Sequence, residues 1–383
     1  MTLDRRRFLQ SSLASAAAAT WWLKVPSLAY AAKGSAELIR RSERPPNYES
    51  VRSAFTTRIT PLDRFYLRNH FDIPKVDVAK WRLNVRGLVE KPLSLTLADL
   101  ERMPQVTVEA VLQCAGNGRG LLKPQVPGVQ WQYGAMGNAQ WTGVRFKDVL
   151  ALARPKQDAA FVQMQGAERP MMDTTPQFIR AIPVAKALHA DTLVALKMGG
   201  KPLAPNRGRP ARLVVPGWVG DDWMRYLADV ELRADEPTAF YYNPGYRFPV
   251  TPGPPGAPIP ADQMTPMTKV NVKSVLGSLN DGDRLRPGTH ELVGVAFSGE
   301  AGIDHVEVSL DGGKTWTAAK LDGPATPYGF RVFRYPWKAE AGTHEIACRA
   351  TDTAGATQPE VPVWTPGGYL NNAIDRVRVE VQA

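Results

Sequence analysis

The sequence predicts an α+β domain followed by an all-β domain, and three observations support this prediction. Strand-like alternation is mixed with short helical patterns over the residues that precede position 249. Residues 249–260 are half proline, a composition typical of a stiff and extended connector. Beyond it, short alternating stretches separated by turn signals continue to the end of the chain. We therefore place a domain boundary near residue 265.

The elements of the first domain follow from hydrophobic periodicity and from turn residues. Strands are predicted where apolar residues alternate or form a short run ahead of a turn, and helices where they recur at helical spacing. The predicted elements are strands at 81–85, 106–112 and 212–215 and helices at 146–153 and 184–189. Because these elements do not alternate regularly as βαβ units, residues 32–265 are predicted to form an α+β domain.

The second domain, residues 266–383, carries a clear hairpin signal. Apolar residues alternate from Val306 to Leu310, Asp311-Gly312-Gly313-Lys314 supplies a turn, and Thr315-Trp316 begins the next strand. Further short strands follow at similar spacing. The pattern predicts an immunoglobulin-like sandwich, a kind of domain that binds or pairs more often than it catalyses.

Charge and cysteine content exclude several classes of protein. The formal net charge is +10 and the chain has two cysteines. A basic surface attracts anions or an acidic partner, but no Lys/Arg run or recognition motif accompanies it, so nucleic acid is not an expected partner. Two cysteines are too few for a disulfide scaffold, a cysteine zinc ribbon or a cysteine-ligated iron–sulfur cluster. No C-x-x-C-H motif occurs, and no haem is expected.

Residues 1–31 resemble a twin-arginine export signal. Arg5-Arg6 precede Phe8-Leu9, a weakly apolar stretch follows, and Ala29-Tyr30-Ala31 matches an A-x-A cleavage pattern. The apolar stretch is too short and alanine-rich for a stable bilayer span, and no other stretch approaches one. The resemblance implies a periplasmic protein that is exported already folded and that has no membrane anchor.

The two cysteines have different surroundings. Cys348 alternates with apolar residues of a predicted strand and is predicted to be a small buried side chain. Cys114 ends a strand and begins the glycine-rich loop 113–120, where Arg119 and the loop amides are expected to favour a thiolate. A reactive or metal-bound thiolate is the best-supported interpretation of Cys114. A Cys114–Cys348 disulfide, a structurally silent cysteine and a covalent Cys–His nucleophile remain as alternatives.

Five segments occur in the order in which one enzyme family carries them. They are Phe65–His70, Leu112–Arg119, Gly128–Trp131 with Trp141–Gly143, Pro210–Gly220 and Val308–Trp316. In turn they resemble the arginine-x-histidine segment, the cysteine loop, the motifs that follow it, the pterin-binding strand and the dimerisation domain of the sulfite oxidase family of molybdenum enzymes. The resemblance implies that family's fold, in which a mixed α/β molybdopterin-binding domain precedes the immunoglobulin-like domain.

The resemblance also implies a metal centre and a catalytic set. Molybdenum would be held by a single pterin dithiolene and by the thiolate of Cys114, and soft sulfur ligands suit that metal. Arg68 and Arg119 match catalytic positions, where guanidinium groups suit a small oxyanion such as sulfite. Tyr246 matches the family's active-site tyrosine, with Tyr241 and Tyr242 as competitors for the position.

Further positions are implied for the pterin and its terminal phosphate. His70 matches a pterin-contacting histidine, and its neighbour Asn69 is assigned to the cofactor with it. Arg207, Arg212 and Arg225 match phosphate-binding positions. The family often has histidine at the first of these and lysine at the last, and arginine at both keeps a cation available for the anion.

One position departs from the family pattern. Gly367 stands where animal-type members carry a further arginine at the substrate site. The departure leaves room for weaker sulfite binding or for a different sulfur oxyanion.

Taken together, the resemblance implies a periplasmic sulfite dehydrogenase. It would pass electrons to an external cytochrome c and would form a homodimer through its second domain. The alternatives are the molybdenum subunit of a sulfane-sulfur dehydrogenase, a nitrate reductase, a methionine sulfoxide reductase and a secreted binding protein without activity.

Overall fold

Strands predominate over helices in residues 38–382, the part of the chain that this computed structural model describes. The predicted export signal, residues 1–31, lies outside the described residues. As far as residue 266 the strands are β1 (Leu38–Ser42), β2 (Asn47–Ser50), β3 (Leu83–Gly87), β4 (Leu93–Leu95), β5 (Gln105–Gln113), β6 (Met136–Arg145), β7 (Phe161–Gly166), β8 (Ile179–Pro183), β9 (Leu193–Met198), β10 (Lys201–Pro202), β11 (Arg212–Val214), β12 (Leu227–Arg233), β13 (Arg247–Pro249) and β14 (Met264–Pro266).

Two main sheets organise this first part. One has the strand order β10-β9-β6-β5, with β11 also paired to β9, and the other has the order β4-β3-β12-β7-β8. β3 and β12 are parallel neighbours, whereas the other pairs of both sheets are antiparallel. Bulky apolar side chains fill the interior, and Trp131, Trp141 and Trp223 are almost completely buried. The strands predicted at 81–85, 106–112 and 212–215 correspond to β3, β5 and β11.

The α-helices among residues 38–382 are short. They are α1 (Leu97–Arg102), α2 (Phe146–Ala153) and α3 (Val184–Ala187). A capping box begins α1, because Thr96 Oγ1 accepts from the Asp99 amide at 3.1 Å while the Asp99 carboxylate accepts from the Thr96 amide at 2.8 Å. α2 has the predicted bounds, and the helix predicted at 184–189 ends at Ala187. No helix of the described part has the length and apolar character needed to cross a membrane.

The C-terminal part consists of strands in two further sheets. The strands are β15 (Lys273–Leu276), β16 (Arg284–Leu285), β17 (Gly288–Phe297), β18 (Ile303–Ser309), β19 (Thr317–Ala318), β20 (Lys320–Asp322), β21 (Arg331–Ala339), β22 (Gly342–Asp352) and β23 (Asp375–Val381). Their orders are β15-β17-β21-β20 and β16-β23-β22-β18-β19, and apolar residues from both sheets share one buried cluster. The predicted hairpin joins β18 to β19, and the Asp311 carboxylate accepts from the amides of Lys314 and Thr315 in its turn. The α+β and immunoglobulin-like assignments and the boundary at residue 265 stay predictions.

Two strand ends position the candidate site. β5 is buried over its last four residues and delivers the chain to Cys114, whose amide donates to the Ala135 carbonyl at 3.0 Å. β11 is buried throughout and leads into a turn at Gly217, which has a φ of +80°. A Cβ at Gly217 would lie 2.5 Å from the Gly299 carbonyl oxygen, so only glycine fits where the turn meets the C-terminal part. This turn brings residues 220–225 beside Cys114.

Candidate active site

A pocket of about 590 Å³, counted to its open mouth, lies where four chain segments meet. Residues 66–70, the end of β5, the segment 206–212 and the segment 220–225 supply most of its wall. Of the residues predicted from the sequence, five line the pocket together with Cys114: Arg68, His70, Arg207, Arg212 and Arg225. Three others, Asn69, Arg119 and Tyr246, are buried nearby and are not among the lining residues.

Cys114 is buried, with 6% of its surface exposed, and both cysteines are free thiols. The disulfide alternative is therefore wrong, and Cys348 is fully buried in β22 as predicted. Arg119 and the Gly116 amide of the loop both lower the pKa of the Cys114 thiol, as expected, but burial outweighs them and raises that pKa to about 11. The Asp221 charge acts in the same direction, while Arg68 and Arg119 oppose it. A thiolate at this position thus needs a cation closer than these guanidinium groups.

Arg68 connects the pocket to Tyr246. Its guanidinium donates to the Asn69 carbonyl, one of its nitrogens lies 3.1 Å from Nδ1 of His70, and Tyr246 is close enough to raise the pKa of Arg68. Burial, followed by the charges of Arg68, Arg225 and Arg180, lowers the pKa of His70 to about 2, so that the ring is neutral and its Nδ1 can accept from Arg68.

Three tyrosines, Tyr246, Tyr241 and Tyr242, compete for the predicted active-site position, and their surroundings differ. Tyr246 is buried and interacts electrostatically with Arg68, whereas the Tyr241 ring lies edge-on against His70 at 4.4 Å between centroids, and the centroid of the Tyr242 ring lies 5.4 Å from the guanidinium carbon of Arg180. Tyr246 also has a positive φ of 53°, unusual for a residue with a side chain, which turns its backbone sharply at this point. Tyr246 is therefore the tyrosine that meets the predicted catalytic arginine.

Arg119 is held tightly by backbone groups. Its Nε donates to the Gly367 carbonyl at 3.0 Å, and only 8% of the residue is exposed. A Cβ at Gly116 would lie 2.8 Å from the Arg119 guanidinium and a Cβ at Gly128 would lie 2.4 Å from it. The glycine-rich character of the cysteine loop thus makes room for the arginine that the loop itself carries.

Arg207, Arg212 and Arg225 converge on one end of the pocket. Arg207 donates to the carbonyls of Tyr66 and Phe65, and Arg212 donates to the Trp223 carbonyl at 3.2 Å. Burial lowers the pKa of Arg207 to about 10 and that of Arg212 to about 9, and the neighbouring guanidinium groups add to both shifts. Nε of Arg212 is buried without a hydrogen-bond partner. Three cations held together in this way form a site for an anion.

Asn69 and Glu168 orient the third of these cations. Asn69 Oδ1 accepts from Arg225 at 2.5 Å, and the Glu168 carboxylate lies 3.3 Å from the same guanidinium. The Asn69 side chain also donates to the Pro46 carbonyl and does not reach the pocket. Its contacts are those of a residue that positions Arg225, and the predicted cofactor contact of Asn69 stays a prediction.

Sequence reasoning missed a second group of charges beside the pocket. Arg180 is fully buried and lies 2.7 Å from the Asp222 carboxylate, with its guanidinium 5.1 Å from the Tyr246 ring centroid. Asp221 lines the pocket and accepts from the Ala115 amide at 3.1 Å. Two signals were available: a lone arginine inside the apolar stretch Ile179–Ile182, and two aspartates directly after the recognised Pro210–Gly220 motif.

Comparison with known proteins decides the family. Family models for an oxidoreductase molybdopterin-binding domain and for a Mo-co oxidoreductase dimerisation domain match residues 70–241 and 264–382. Sulfite oxidase of Arabidopsis thaliana is 32% identical over 363 residues, which cover 88% of this chain and 92% of that protein. The chain belongs to the sulfite oxidase family. It is a molybdenum-dependent oxidoreductase, and the predicted family and enzyme class are confirmed.

One further relative and one solved structure that is similar to this chain indicate which substrates to consider. Human mitochondrial sulfite oxidase is 34% identical, and the match covers 89% of this chain but 65% of that protein. The crystal structure of the sulfane dehydrogenase SoxCD from Paracoccus pantotrophus superposes with a TM-score of 0.79 and 26% identity, covering 94% of this chain and 95% of that one. Proteins similar to this chain are therefore named for two different sulfur substrates.

The described residues fit the family's molybdenum cofactor. The three converging arginines and the unpartnered Nε of Arg212 suit the terminal phosphate of a pterin, and Cys114 supplies a soft sulfur ligand in the same pocket. His70 lies between these two features as a neutral ring that stacks on Phe178 at 4.4 Å between centroids. The pocket can thus take an elongated ligand with an anionic group at one end and a metal at the other.

Proposed function

We propose that this chain is a periplasmic sulfite dehydrogenase that oxidises sulfite to sulfate and passes the electrons to an external cytochrome c. The observation that carries the proposal is that Arg68 and Cys114 line the same pocket, with the buried Tyr246 near enough to interact electrostatically with both. A fixed cation and a phenol beside a thiol that can bind metal form a site for a small oxyanion.

Each residue then has a defined task. Arg207, Arg212 and Arg225 hold the cofactor's phosphate, and Cys114 binds its metal. The bound molybdenum cofactor supplies the two-electron and oxygen-transfer chemistry. Arg68 and Arg119 attract and orient the sulfite anion, and Tyr246 hydrogen-bonds an oxygen of the substrate.

The cellular context and assembly belong to the same proposal. The paired arginines near the N-terminus support twin-arginine export to the periplasm. The match of residues 264–382 to a dimerisation domain supports a homodimer formed through an immunoglobulin-like domain. Electrons leave singly, because a cytochrome c accepts one at a time, so two molecules of the carrier are consumed for each sulfite.

A second candidate is the molybdenum subunit of a sulfane-sulfur dehydrogenase. The overall similarity to SoxCD supports it, as does glycine at position 367 in place of an arginine, which leaves the substrate side less cationic. A dihaem subunit that copurifies with the chain, together with activity on a sulfane sulfur and none on sulfite, would select this candidate.

The deciding experiment uses the full precursor, expressed with its export pathway. Purified protein is assayed for molybdenum and for sulfite-dependent reduction of cytochrome c. We expect Cys114→Ser to abolish turnover, whereas Cys348→Ser, which alters the other buried thiol, should retain molybdenum and turnover. A Cys114→Ser enzyme with a near-normal rate would contradict the metal assignment.

Arg68→Gln tests the anion pocket separately. The Michaelis constant for sulfite should rise strongly because the fixed positive charge is lost, with molybdenum content unchanged. An unchanged Michaelis constant would remove Arg68 from the substrate site.

A further inference from the structure

Tyr369 links the two sides of the substrate site. Its ring stacks on Tyr246 with 5.3 Å between centroids and an interplanar angle of 21°. The guanidinium carbon of Arg119 lies 5.2 Å from the centroid of the same ring. Tyr369 therefore contacts one residue proposed to hydrogen-bond the substrate and one proposed to attract it, and it carries no charge of its own.

The ring of Tyr369 closes position 367 to any side chain. A Cβ at Gly367 would lie 2.0 Å from Cε2 and 2.4 Å from Cδ2 of Tyr369, much closer than a carbon–carbon contact allows. The Gly367 carbonyl is fixed as well, because it accepts from Nε of Arg119 at 3.0 Å. While Tyr369 occupies this place, segment 366–368 can add no cation to the site.

The fixed charges near Cys114 leave a small positive excess. Arg180 is neutralised by Asp222 at 2.7 Å. Of the remaining groups, Arg68 and Arg119 are cations and Asp221 is a carboxylate that interacts with both of them. The protein side of the substrate site thus holds about one uncompensated positive charge, which matches an anion with a single negative charge better than one with two.

We propose that Tyr369 is a specificity-determining residue that fits the substrate site to singly charged sulfur oxyanions. The inference rests on the proposed function and narrows its substrate class to hydrogensulfite and alkanesulfinates. An alkanesulfinate reacts with one water to give the sulfonate, two protons and two electrons, and two molecules of a ferric haem protein take up the electrons. The sulfur atom gains one oxygen and no carbon–sulfur bond is broken.

The test compares methanesulfinate with sulfite at one pH in the holoenzyme. The wild type should oxidise both, with values of kcat/KM within about tenfold of each other. In the double variant Gly367→Arg/Tyr369→Ala, the ring is gone and a guanidinium enters the site. We expect the preference for sulfite over methanesulfinate to rise by tenfold or more through KM, the effect of about one charge-assisted hydrogen bond. Gly367→Arg alone should instead lose stability or activity, because Tyr369 blocks the new side chain.

A control variant and a binding measurement separate the outcomes. Gly302→Arg adds the same charge in the C-terminal part, where a Cβ would meet only Thr353 at 3.8 Å, and should leave the preference unchanged. Calorimetry of sulfate binding provides a readout that needs no turnover, and the double variant should bind this dianion at least tenfold more tightly than the wild type.

The results distinguish the inference from the function on which it rests. If the wild type oxidises sulfite but not methanesulfinate, or if the double variant alters neither the preference nor sulfate affinity, the role of Tyr369 is wrong and the proposed function stands. If the molybdenum-loaded wild type oxidises neither substrate while sulfate affinity still shifts as expected, the proposed function is wrong and the role of Tyr369 in charge selection stands.

Discussion

The two ends of the pocket both contain buried arginines, but those arginines are held in opposite ways. At the phosphate end, Arg207 and Arg212 donate to backbone carbonyls, and burial lowers the pKa of each. At the substrate end, Arg180 is fully buried and Arg68 partly buried, yet nearby carboxylates and tyrosines raise their pKa values above the ordinary one. At the phosphate end only Arg225 has a carboxylate partner, Glu168, and Arg207 and Arg212 have none, whereas at the substrate end Arg180 is paired with Asp222.

This difference indicates which end depends on its ligand. A buried cation without a counter-charge destabilises the folded chain until an anion arrives, so the phosphate end gains the most from binding. A buried cation paired with carboxylates is neutralised in advance, so the substrate end keeps its geometry whether or not substrate is present. The predictions for Arg180 and Arg212 each change one end and leave the other intact, and the last prediction concerns His70, on which arginines of both ends act.

The largest loss of unfolding free energy is expected from Arg180→Met, which removes the cation of the buried ion pair at the substrate end. Asp222 would then remain as a buried carboxylate without its partner, which costs about 3–5 kcal/mol of unfolding free energy. Removing the guanidinium beside the Tyr246 ring should also lower kcat for sulfite. Urea unfolding and steady-state kinetics of the same preparation measure both effects.

Arg334→Met is the matched control for this substitution. Arg334 pairs with Glu291 and Asp322 on the surface of β21, where ion pairs contribute less than about 1 kcal/mol. The double variant Arg180→Met/Asp222→Leu removes both buried charges and should recover much of the lost stability. If Arg180→Met costs no more than Arg334→Met, the substrate end is not held by this ion pair.

At the phosphate end the corresponding change should have the opposite sign. Arg212→Met removes a buried cation that has no carboxylate partner and has an unpartnered Nε. In protein made by cells that cannot synthesise the pterin, we expect the unfolding free energy to stay equal or to rise by about 1–4 kcal/mol. In cells that make the pterin, molybdenum content should fall strongly because the phosphate loses a ligand.

Arg212→Lys separates charge from geometry in this comparison. Lysine keeps the positive charge but cannot donate from two sides, so it should restore part of the molybdenum content and none of the stability gain. A cofactor-free Arg212→Met protein that is clearly less stable than the wild type would show that Arg212 serves the fold rather than the ligand.

Local patterns were sufficient to predict much of this arrangement. The alternation in β5, the helical spacing of α2 and the Asp311 turn are each determined by neighbours in sequence, and the structure has them where they were predicted. The order of five motifs predicted that Cys114, Arg68, His70 and the three phosphate-end arginines would meet. They line one pocket because strand ends and turns, which the motifs encode, bring them there.

Long-range pairings could not be predicted in the same way. Arg180 and Asp222 are 42 positions apart, and Tyr369 meets Arg119 across 250 positions, as the chain numbering shows. Nothing near Arg180 in sequence indicates that its strand will be covered by segment 220–222, or that Tyr369 will stack on Tyr246. The net direction of the Cys114 pKa shift could not be predicted for the same reason, because burial and the distant Asp221 outweigh the loop's own cation, Arg119.

The smallest expected change in unfolding free energy concerns His70, because arginines of both pocket ends act on its ring. Burial and the charges of Arg68, Arg225 and Arg180 lower its pKa from 6.5 to about 2. Below pH 6.5 the unfolded chain binds a proton at this ring and the folded chain does not, so stability is lost as the pH falls. The unfolding free energy should therefore drop by up to about 1.4 kcal/mol per pH unit between pH 6 and pH 5 on account of this residue.

Urea unfolding of His70→Gln at pH 7, 6 and 5 should show a correspondingly flatter dependence of the unfolding free energy on pH than the wild type. Equal slopes would mean that His70 is protonated in the folded protein, and that the cations of the two ends are too well screened to act on the ring between them.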